Sequence, residues 1–441
     1  MQKNSSIRKV LKKHEPKRKK KVLILGAGPA GLCAAYNLLD EFDVTILEKN
    51  EHVAGLASTF NHEGKTIPKY YHHIFYHDYL TRKYFEKLVN IKDLRWKRIK
   101  VGICVNKNVY SFTNPLSLIK FNYLSLIGRI RYGLFGAYVL FIMNPERIPE
   151  DMDAQKWLLK YAGKEVTDKI FYHLYSRNKF NIPLNRISAK QFAFRLKAKE
   201  AIGVFGFPTE GLHKLFEGFE QNIKKKAGKI LKKVNIVYVN LDQKELYFED
   251  EKKTIRRINY DILINTIPTP EFLKIQKGLP EKYVKKISQI KYCPVVCITF
   301  GSDDYLSEHY WLNVFNERIH MIMQHSILND DFGHKVSWAS RYGGSEEDLP
   351  IDDNILKKEY LAVVKKFFPK AKIRWARVFK EVYAEPIYDK DYFKKNPGYR
   401  TPVRDFYFAG IAVTYPKIRN INTALESGEI VAAMIKEDNL K

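Results

Sequence analysis

The chain has 441 residues, of which 45% are hydrophobic and 14% aromatic, a composition typical of a globular protein and not of a disordered one. Its four cysteines are scattered without the spacing of a zinc site, so we expect reduced thiols in a cytoplasmic protein and no bound metal. The formal charge of +27 fits either a solvated basic surface or attraction to a polyanion, and we predict no specific nucleic-acid partner.

The N-terminal segment is strongly basic. The first 21 residues contain ten Lys or Arg and one acid, Glu15. They are not followed by the apolar h-region of a signal peptide, which argues against a secretory signal. We therefore expect residues 1–20 to form a disordered basic tail.

The glycine-rich segment after the tail predicts a dinucleotide-binding βαβ unit. An apolar strand runs into Gly26-x-Gly28-x-x-Gly31, and the next strand ends at Glu48. Gly26 permits a tight turn, Gly28 lets the backbone approach a pyrophosphate at the helix N-terminus, and Gly31 lets the helix pack on the strand. Glu48 is suited to accept hydrogen bonds from ribose hydroxyls. The residues expected to contact the nucleotide here are Gly26, Gly28, Pro29, Ala30, Gly31, Glu48 and Lys49.

The apolar spacing over residues 79–199 is largely helical and predicts a helical insertion. Within it, residues 133–143 form an apolar run behind Arg129 and Arg131. This run is compatible with a buried helix and also with a basic-flanked helix that lies in a bilayer interface. It is shorter than the roughly 18 residues that a membrane span needs.

The C-terminal half alternates between strands and helices. Strands are predicted near residue 230 and over 235–239, 245–248, 261–265, 292–300, 335–342 and 405–409, and a helix over 421–435. The first three strands suggest a small three-stranded unit, and 292–300 with 335–342 suggest a second, antiparallel sheet. We expect the N-terminal, central and C-terminal pieces to share one parallel sheet.

Four of these segments occur in the order used by one flavoprotein superfamily. They are the first glycine motif with Glu48, the segment Val53-Ala54-Gly55-Leu56-Ala-Ser-Thr59, the strand and turn of 261–268, and Tyr407-Phe-Ala-Gly410 before the last helix. This set resembles the FAD-dependent amine oxidase superfamily, which includes monoamine oxidases, protoporphyrinogen oxidases and, more distantly, UDP-galactopyranose mutases. The resemblance covers roughly residues 20–437. Ala54 stands where that superfamily has glycine.

The resemblance implies an α/β fold with a Rossmann-type, glutathione-reductase-like FAD-binding domain, an inserted helical lobe and an antiparallel-sheet substrate domain. The expected FAD-binding domain is discontinuous. The predicted boundaries are 21–69, 200–268 and 402–441 for the FAD-binding domain, 70–199 for the helical insertion and 269–401 for the sheet domain.

The last motif suits a flavin better than a nicotinamide. Gly410 lets the strand end come close to a ribityl-phosphate, and the helix from about Asn422 directs its positive dipole end at the flavin O2–N1 edge. That dipole stabilises the anionic reduced flavin. The further FAD contacts implied by the resemblance are Gly55, Leu56, Val234, Thr266, Gly410, Asn420, Ile421 and Asn422.

His73 and Arg341 are the candidate catalytic residues. The segment from Lys69 to Phe75 resembles the short histidine motif beside the flavin in UDP-galactopyranose mutases, and His73 matches the flavin-facing histidine. Its alternatives are ordinary aromatic packing and a metal site. Arg341 is either a strand residue that carries a positive charge toward the substrate or one member of a surface ion pair. Residues 384–388 are either a turn or an active-site wall.

The resemblance implies an FAD-dependent oxidoreductase that transfers hydride from a small or lipid-like substrate to flavin N5. Two other functions stay open. One is a redox-neutral mutase that rearranges a sugar nucleotide, with Arg341 and Arg177 as anchors for its pyrophosphate. The other is a non-catalytic, membrane-associated flavin-binding protein. The basic tail and the apolar run 133–143 also predict peripheral docking on the inner face of an anionic membrane. The oligomeric state is left open.

Overall fold

The computed structural model describes residues 18–90, 94–111, 115–198 and 203–440. The predicted basic tail lies outside the described residues except for its last three. Five strands form a parallel sheet. In spatial order they are Lys229–Leu231, Asp43–Leu47, Lys21–Leu25, Ile262–Asn265 and Phe406–Phe408. The prediction that N-terminal, central and C-terminal pieces share one sheet is therefore confirmed.

Side chains alternate between the two faces of this parallel sheet, as the period of a strand requires. Ile24 and Ile46 pack with the helices on one face. Leu25 and Leu47 pack on the other face with residues of an antiparallel sheet. Both faces are covered, which is why these strands are near-continuous apolar runs.

Three helices lie on the helical face: Pro29–Leu38, His213–Lys225 and Ile421–Leu440. The first and last are in backbone contact, because a Cβ built at Gly428 would overlap the carbonyl oxygen of Ala30. The first and last of these helices therefore pack directly against each other on one face of the sheet.

The small antiparallel sheet on the opposite face differs from the prediction. It contains Asn235–Asn240, Glu245–Glu249 and Ile255–Asn259, with Gln276–Lys277 added in parallel. Ile230, predicted to belong here, lies in the parallel sheet beside Ile46. A three-residue strand carries too little periodicity to show which sheet it joins.

A seven-stranded sheet forms the second lobe. Its spatial order is Ile373–Pro386, Tyr292–Ser302, Lys335–Arg341, Met321–Gln324, Trp311–Val314, Val101–Val105 and Asn108–Ser111. The predicted antiparallel pair is present, with Ile298 opposite Ala339. All pairs are antiparallel except Trp311–Val314 with Val101–Val105.

The segment 79–199, predicted to be helical, also supplies strands. Val101–Val105 and Asn108–Ser111 extend the seven-stranded sheet, and Leu94–Arg98 pairs with Val204–Pro208, which also pairs with Ile74–Phe75. Val101–Val105 is buried at every position, so it lacks the alternation that marks a half-exposed strand. Thr59–His62 and Lys65–Pro68 form a separate two-stranded hairpin.

The domain boundaries given above for the FAD-binding domain, the insertion and the sheet domain stay a prediction.

Helices make up most of the remaining insertion. They are Tyr79–Val89, Pro115–Ile119, Leu126–Ala137, Ala154–Tyr161, Lys164–Val166 and Ala189–Lys197, with a short π-helical turn at Tyr138–Ile142 and a longer π-helix at Thr167–Phe180. Helices elsewhere are Thr269–Ile275, Glu281–Ile287, Asp353–Phe367 and Tyr392–Lys395, and single 3₁₀ turns lie at Gly55–Ala57, Pro145–Arg147, Leu184–Arg186, His325–Ile327 and Ser345–Glu347. Phe135, Trp157, Phe171 and Phe192 form the aromatic core of the insertion. Across the described ranges, no helix has both the length and the apolar character to span a bilayer.

His325 is a fully buried imidazole in an aromatic cage. Its ring packs edge-on against Phe207 and Trp338, at centroid distances of 4.2 and 4.7 Å. Neither ring nitrogen has a hydrogen-bond partner among the described residues. Burial lowers the pKa of His325 to about 3, so the ring stays neutral in the folded protein at physiological pH.

We predict that His325→Phe stabilises the protein more in acid than at neutral pH. The pKa of His325 is lower in the folded state than the usual value of 6.5, so the unfolded state binds the proton more readily. The free energy of unfolding is therefore unaffected by this proton above pH 6.5 and declines as the pH falls toward 3. Phenylalanine removes this proton linkage, so the gain in unfolding free energy should be about 2 kcal/mol larger at about pH 5 than at about pH 8.

Urea unfolding at both pH values measures this difference. The control is His52→Phe, which makes the same exchange at an exposed position outside the aromatic cage. An equal effect of His325→Phe at the two pH values would show that His325 titrates normally in the folded protein.

Candidate flavin and substrate site

The first glycine motif forms a turn and an open cradle at the carboxyl edge of the parallel sheet. Gly26 has φ of +97°, a conformation that favours glycine. A Cβ at Gly31 would overlap the Gly26 carbonyl oxygen, so Gly31 allows the helix to approach the turn. A Cβ at Gly28 would meet no atom within 4 Å. Gly28 therefore faces open space, and the helix begins one residue later at Pro29.

Glu48 is buried and holds the glycine turn. Its Oε2 accepts a hydrogen bond from the Ala27 amide at 2.8 Å, and its Oε1 accepts one from the Asn50 amide at 2.9 Å. Oε1 also accepts from the Asn50 side-chain amide at 2.9 Å, so Oε2 is the oxygen with capacity for a further donor, and the predicted ribose contact is compatible with this role. The Val234 amide donates to the Glu48 carbonyl at 3.1 Å, and Lys49 is exposed beside it.

The second motif packs against the first. The Ala54 amide donates to the Ala27 carbonyl at 2.9 Å, and a Cβ at Gly55 would lie 3.5 Å from the Gly28 Cα. Ala54 has φ of +91°, so the alanine adopts the left-handed conformation for which glycine is better suited. Two residues after Ala54, the Leu56 carbonyl accepts a hydrogen bond from His72.

Thr266 and Gly410 complete the sheet edge. The Thr266 hydroxyl donates to the Leu25 carbonyl at 2.6 Å, which ties the central strand to the glycine turn. Gly410 has φ of +96°, and its amide donates to the Ser427 hydroxyl at 2.8 Å. Ser427 belongs to the last helix, so this bond fixes that helix relative to the end of the last strand.

The N-terminus of the last helix is capped from within the protein. The Asn420 side chain accepts a hydrogen bond from the Thr423 amide at 2.9 Å. Asn422 accepts from the amides of Leu80 and Thr81 through its side-chain oxygen. The Asn422 side chain therefore caps a neighbouring helix, and any contact of Asn422 or the adjacent Ile421 with a flavin would come from the backbone.

This arrangement fits FAD. The Gly28 cradle would hold the pyrophosphate at one helix N-terminus, and the second helix N-terminus would meet the isoalloxazine end of the cofactor. The left-handed Gly26 and Gly410 leave room for close backbone approach. Over the described ranges, no group of three or more His, Cys, Asp and Glu side chains is placed to hold a metal ion.

His73 lies in a polar contact with Tyr310 and on an aromatic ring. Its Nδ1 is 3.1 Å from the Tyr310 hydroxyl, and its ring stacks on Phe205 with centroids 4.1 Å apart. Burial lowers the His73 pKa to about 3, so the imidazole is neutral at physiological pH. A neutral ring is suited to hydrogen bonding and packing, and its orientation toward the flavin stays a prediction.

Arg341 is held in an ion-pair network. Its guanidinium donates to Asp348 at 2.9 Å and to Glu347 at 3.1 Å. The fully buried Asp348 also accepts from Arg318 and from the Tyr360 hydroxyl. The ion-pair alternative therefore describes the position of Arg341, and a catalytic role for this residue stays a prediction. Arg177, the second candidate pyrophosphate anchor, donates to Asn316.

A second group of charges is buried between the lobes, and the sequence did not predict it as a unit. Lys179 Nζ lies 2.7 Å from Glu385 Oε1, and Arg419 Nη2 lies 2.8 Å from Glu385 Oε2. Arg419 Nε has no hydrogen-bond partner among the described residues. We call Lys179, Glu385 and Arg419 the buried charge cluster. Residues 384–388, predicted as a turn or an active-site wall, begin in the last residues of the strand Ile373–Pro386, and their role as an active-site wall stays a prediction.

The electrostatics of the buried charge cluster favour an ionised Glu385. Burial acts to raise the pKa of Glu385, but the charges of Arg419 and Lys179 outweigh it and lower that pKa to about 2. Burial lowers the pKa of Lys179 from its usual value. With Lys179 protonated, two cations share one carboxylate, so the cluster carries a net positive charge.

Aromatic side chains surround the buried charge cluster. The Tyr71 and Tyr342 hydroxyls are 3.0 Å apart, and Lys179 Nζ is 4.5 Å from the centre of the Tyr342 ring. The Arg419 guanidinium lies 4.6 Å from the Tyr388 ring. Tyr71 is two residues from His73, and Arg419 directly precedes the capped helix N-terminus. The cluster thus lies between the two chain segments that are predicted to contact the flavin ring.

The sequence profile of the flavin containing amine oxidoreductase family matches residues 29–436. The chain belongs to this family. It is an FAD-dependent oxidoreductase, and the fold and cofactor predicted from the sequence are confirmed. No curated protein sequence matches it significantly.

Solved structures share the fold at low sequence identity. A protoporphyrinogen oxidase-like protein from Exiguobacterium sp. 255-15 is 15% identical with a TM-score of 0.76, over 96% of this chain and 100% of the other. A reduced UDP-galactopyranose mutase is 16% identical with a TM-score of 0.75, over 95% and 96%. A putrescine oxidase bound to putrescine is 14% identical with a TM-score of 0.71, over 96% and 100%.

The glycine motif predicts different effects for substitutions at Gly28 and Gly31. Gly28→Val should fold, because a Cβ at this position meets no protein atom within 4 Å. The branched side chain would occupy the predicted pyrophosphate position, so most of the flavin should be lost. Gly31→Val should fold poorly, because it overlaps the Gly26 carbonyl. Flavin absorbance per chain and circular dichroism separate the two effects. Stoichiometric FAD in folded Gly28→Val would remove Gly28 from the site.

The strained Ala54 predicts a stabilising substitution. Ala54→Gly should raise the unfolding free energy by about 1 kcal/mol, because glycine adopts this conformation without the Cβ penalty. Ala57→Gly in the same turn has no such strain to relieve and should lower it by about 0.5–1 kcal/mol. Thermal unfolding of both variants checks this, and a destabilised Ala54→Gly would contradict the assignment of strain.

Proposed function

We propose that the enzyme oxidises a substrate that carries an anionic group and that the buried charge cluster binds this group. The observation that carries the proposal is that Lys179 and Arg419 share the single carboxylate of Glu385. Buried cations are normally matched by anions or neutral acceptors. A substrate carboxylate or phosphate would supply the additional negative charge.

The same charges disfavour a cationic amine as substrate. The Glu385 carboxylate is engaged by two cations, one on each oxygen, and a protonated amine would enter beside like charges. The family contains amine oxidases, and the putrescine oxidase structure shares the fold. In this chain, however, the cluster supports an acidic substrate instead of a diamine.

Each side chain of the site would act by binding and orientation. Lys179 and Arg419 would anchor the acidic group, and the Tyr71–Tyr342 pair would form an aromatic wall beside it. The neutral His73 would hold a hydrogen bond near the flavin ring without adding charge. FAD, when bound, supplies the acceptor for the hydride that leaves the substrate carbon, and an external electron acceptor then completes the cycle.

A redox-neutral mutase is the second candidate. Two buried cations are also suited to the pyrophosphate of a sugar nucleotide, and the mutase structure shares the fold. The two functions differ in electron balance, because only the oxidoreductase consumes an acceptor. Substrate turnover without acceptor reduction would favour the mutase.

Anaerobic reduction of the flavin by a panel of compounds tests the proposal. The panel should contain carboxylates, phosphate esters, neutral alcohols and amines, with dichlorophenolindophenol as acceptor in steady state. We expect acidic compounds to bleach the flavin. Lys179→Met should raise KM for them by about 10- to 100-fold, as expected for loss of a charge-assisted hydrogen bond.

Lys285→Met provides the control, since Lys285 is exposed in a separate surface groove. It should leave KM unchanged. Melting temperatures of both variants identify any loss of folding. Preferential reduction by amines, or an unchanged KM in a folded Lys179→Met enzyme, would contradict the anionic-substrate assignment while leaving FAD binding intact.

A further inference from the structure

A cluster of large apolar side chains is exposed on one helical segment of the insertion. The segment contains Pro115–Ile119, Leu126–Ala137 and the π-helical turn Tyr138–Ile142, and we call it the apolar hairpin. Its exposed side chains are Leu116, Ile119, Leu126, Ile127, Ile130, Leu134, Phe141 and Ile142. Phe141 and Ile142 are 83% and 74% exposed. Scattered apolar residues are normal on a surface, but a contiguous group indicates an interaction site.

The apolar hairpin is amphipathic. Leu126, Ile130 and Leu134 are spaced four residues apart and lie on one side of the helix. The opposite side is packed into the core, where Phe135 contacts Trp157 and Phe171. The run 133–143 thus combines both predicted alternatives, a buried face and an exposed apolar face.

The surroundings of the apolar hairpin are basic. Residues 94–145 contain eight Lys or Arg and no Asp or Glu. Lys120 and Arg131 are exposed on the hairpin itself. Arg129 is used internally, because its guanidinium donates to the carbonyls of Leu124 and Ile119. An apolar surface bordered by cations is complementary to the interface of an anionic bilayer.

We propose that the apolar hairpin docks the protein on an anionic lipid bilayer, with its exposed side chains inserted at the level of the headgroups. The charge distribution favours lipid over a second copy of the chain. Two copies would each carry a formal charge of +27, and Glu165, the acid that accepts from Ser125 at the start of the hairpin helix, is already paired with Lys169. Insertion is interfacial, consistent with the lack of a spanning helix in the described ranges.

Vesicle co-sedimentation of the full-length holoenzyme tests this docking. The vesicles are phosphatidylcholine alone and an equimolar mixture with phosphatidylglycerol, each at low and high salt. The test variant is Ile127→Ser/Leu134→Ser/Phe141→Ser. The control is Ile255→Ser/Ile355→Ser/Val382→Ser, which removes exposed apolar side chains that lie elsewhere on the surface.

We expect the wild type and the control to sediment with the anionic vesicles. The hairpin variant should bind about a thousandfold more weakly, since burying each of the three large apolar side chains contributes about tenfold to binding. High salt should weaken the binding of the wild type. Because the substituted side chains are exposed, the melting temperature should not fall.

Three results would overturn the proposal. One is the absence of wild-type binding to anionic vesicles at low salt. Another is unchanged binding of the hairpin variant, with binding lost instead when residues 1–17 are deleted, which would assign attraction to the basic segment alone. The third is a concentration-dependent dimer that the hairpin substitutions dissolve, which would show that a second copy covers this surface.

Discussion

The close backbone packing of the first helix against the last is the constraint on which the site depends. Gly31 lets the first helix approach the Gly26 turn, and Gly428 lets the last helix rest on the backbone of Ala30. Both helices follow strands of one parallel sheet and begin at its carboxyl edge. Two positive dipole ends are therefore available to one extended, anionic cofactor, although 392 residues separate Pro29 from Ile421.

The buried charge cluster is the feature from which we infer the substrate preference of this enzyme. Burial alone would raise the pKa of Glu385, yet the charges of Arg419, Lys179 and Arg195 lower it to about 2. Replacing one partner of such a group leaves an uncompensated buried charge, which typically costs about 3–5 kcal/mol. A cluster with one more cation than anions therefore has a physical reason to bind an acidic ligand, and its position between Tyr71 and Arg419 relates that ligand to the predicted flavin ring.

The parts of the site that a few adjacent residues determine could be predicted from the sequence. Gly26, Gly28 and Glu48 form one local unit, so their spacing alone indicated the turn and its nucleotide. Lys179 and Glu385 are 206 residues apart, and no local pattern links them. Val101–Val105 was missed because a short, fully buried strand has no periodicity. The ion pairs of Arg341 likewise depend on a loop whose position the strand pattern does not determine.

The measurement that tests the account most directly is a crystal structure of the holoenzyme grown with FAD and soaked in sulfate. The account predicts the pyrophosphate against Gly28, the isoalloxazine ring between His73 and the helix N-terminus at Ile421, and a sulfate contacting both Lys179 and Arg419. A flavin ring remote from His73, or a buried charge cluster closed by protein atoms with no anion bound, would contradict it.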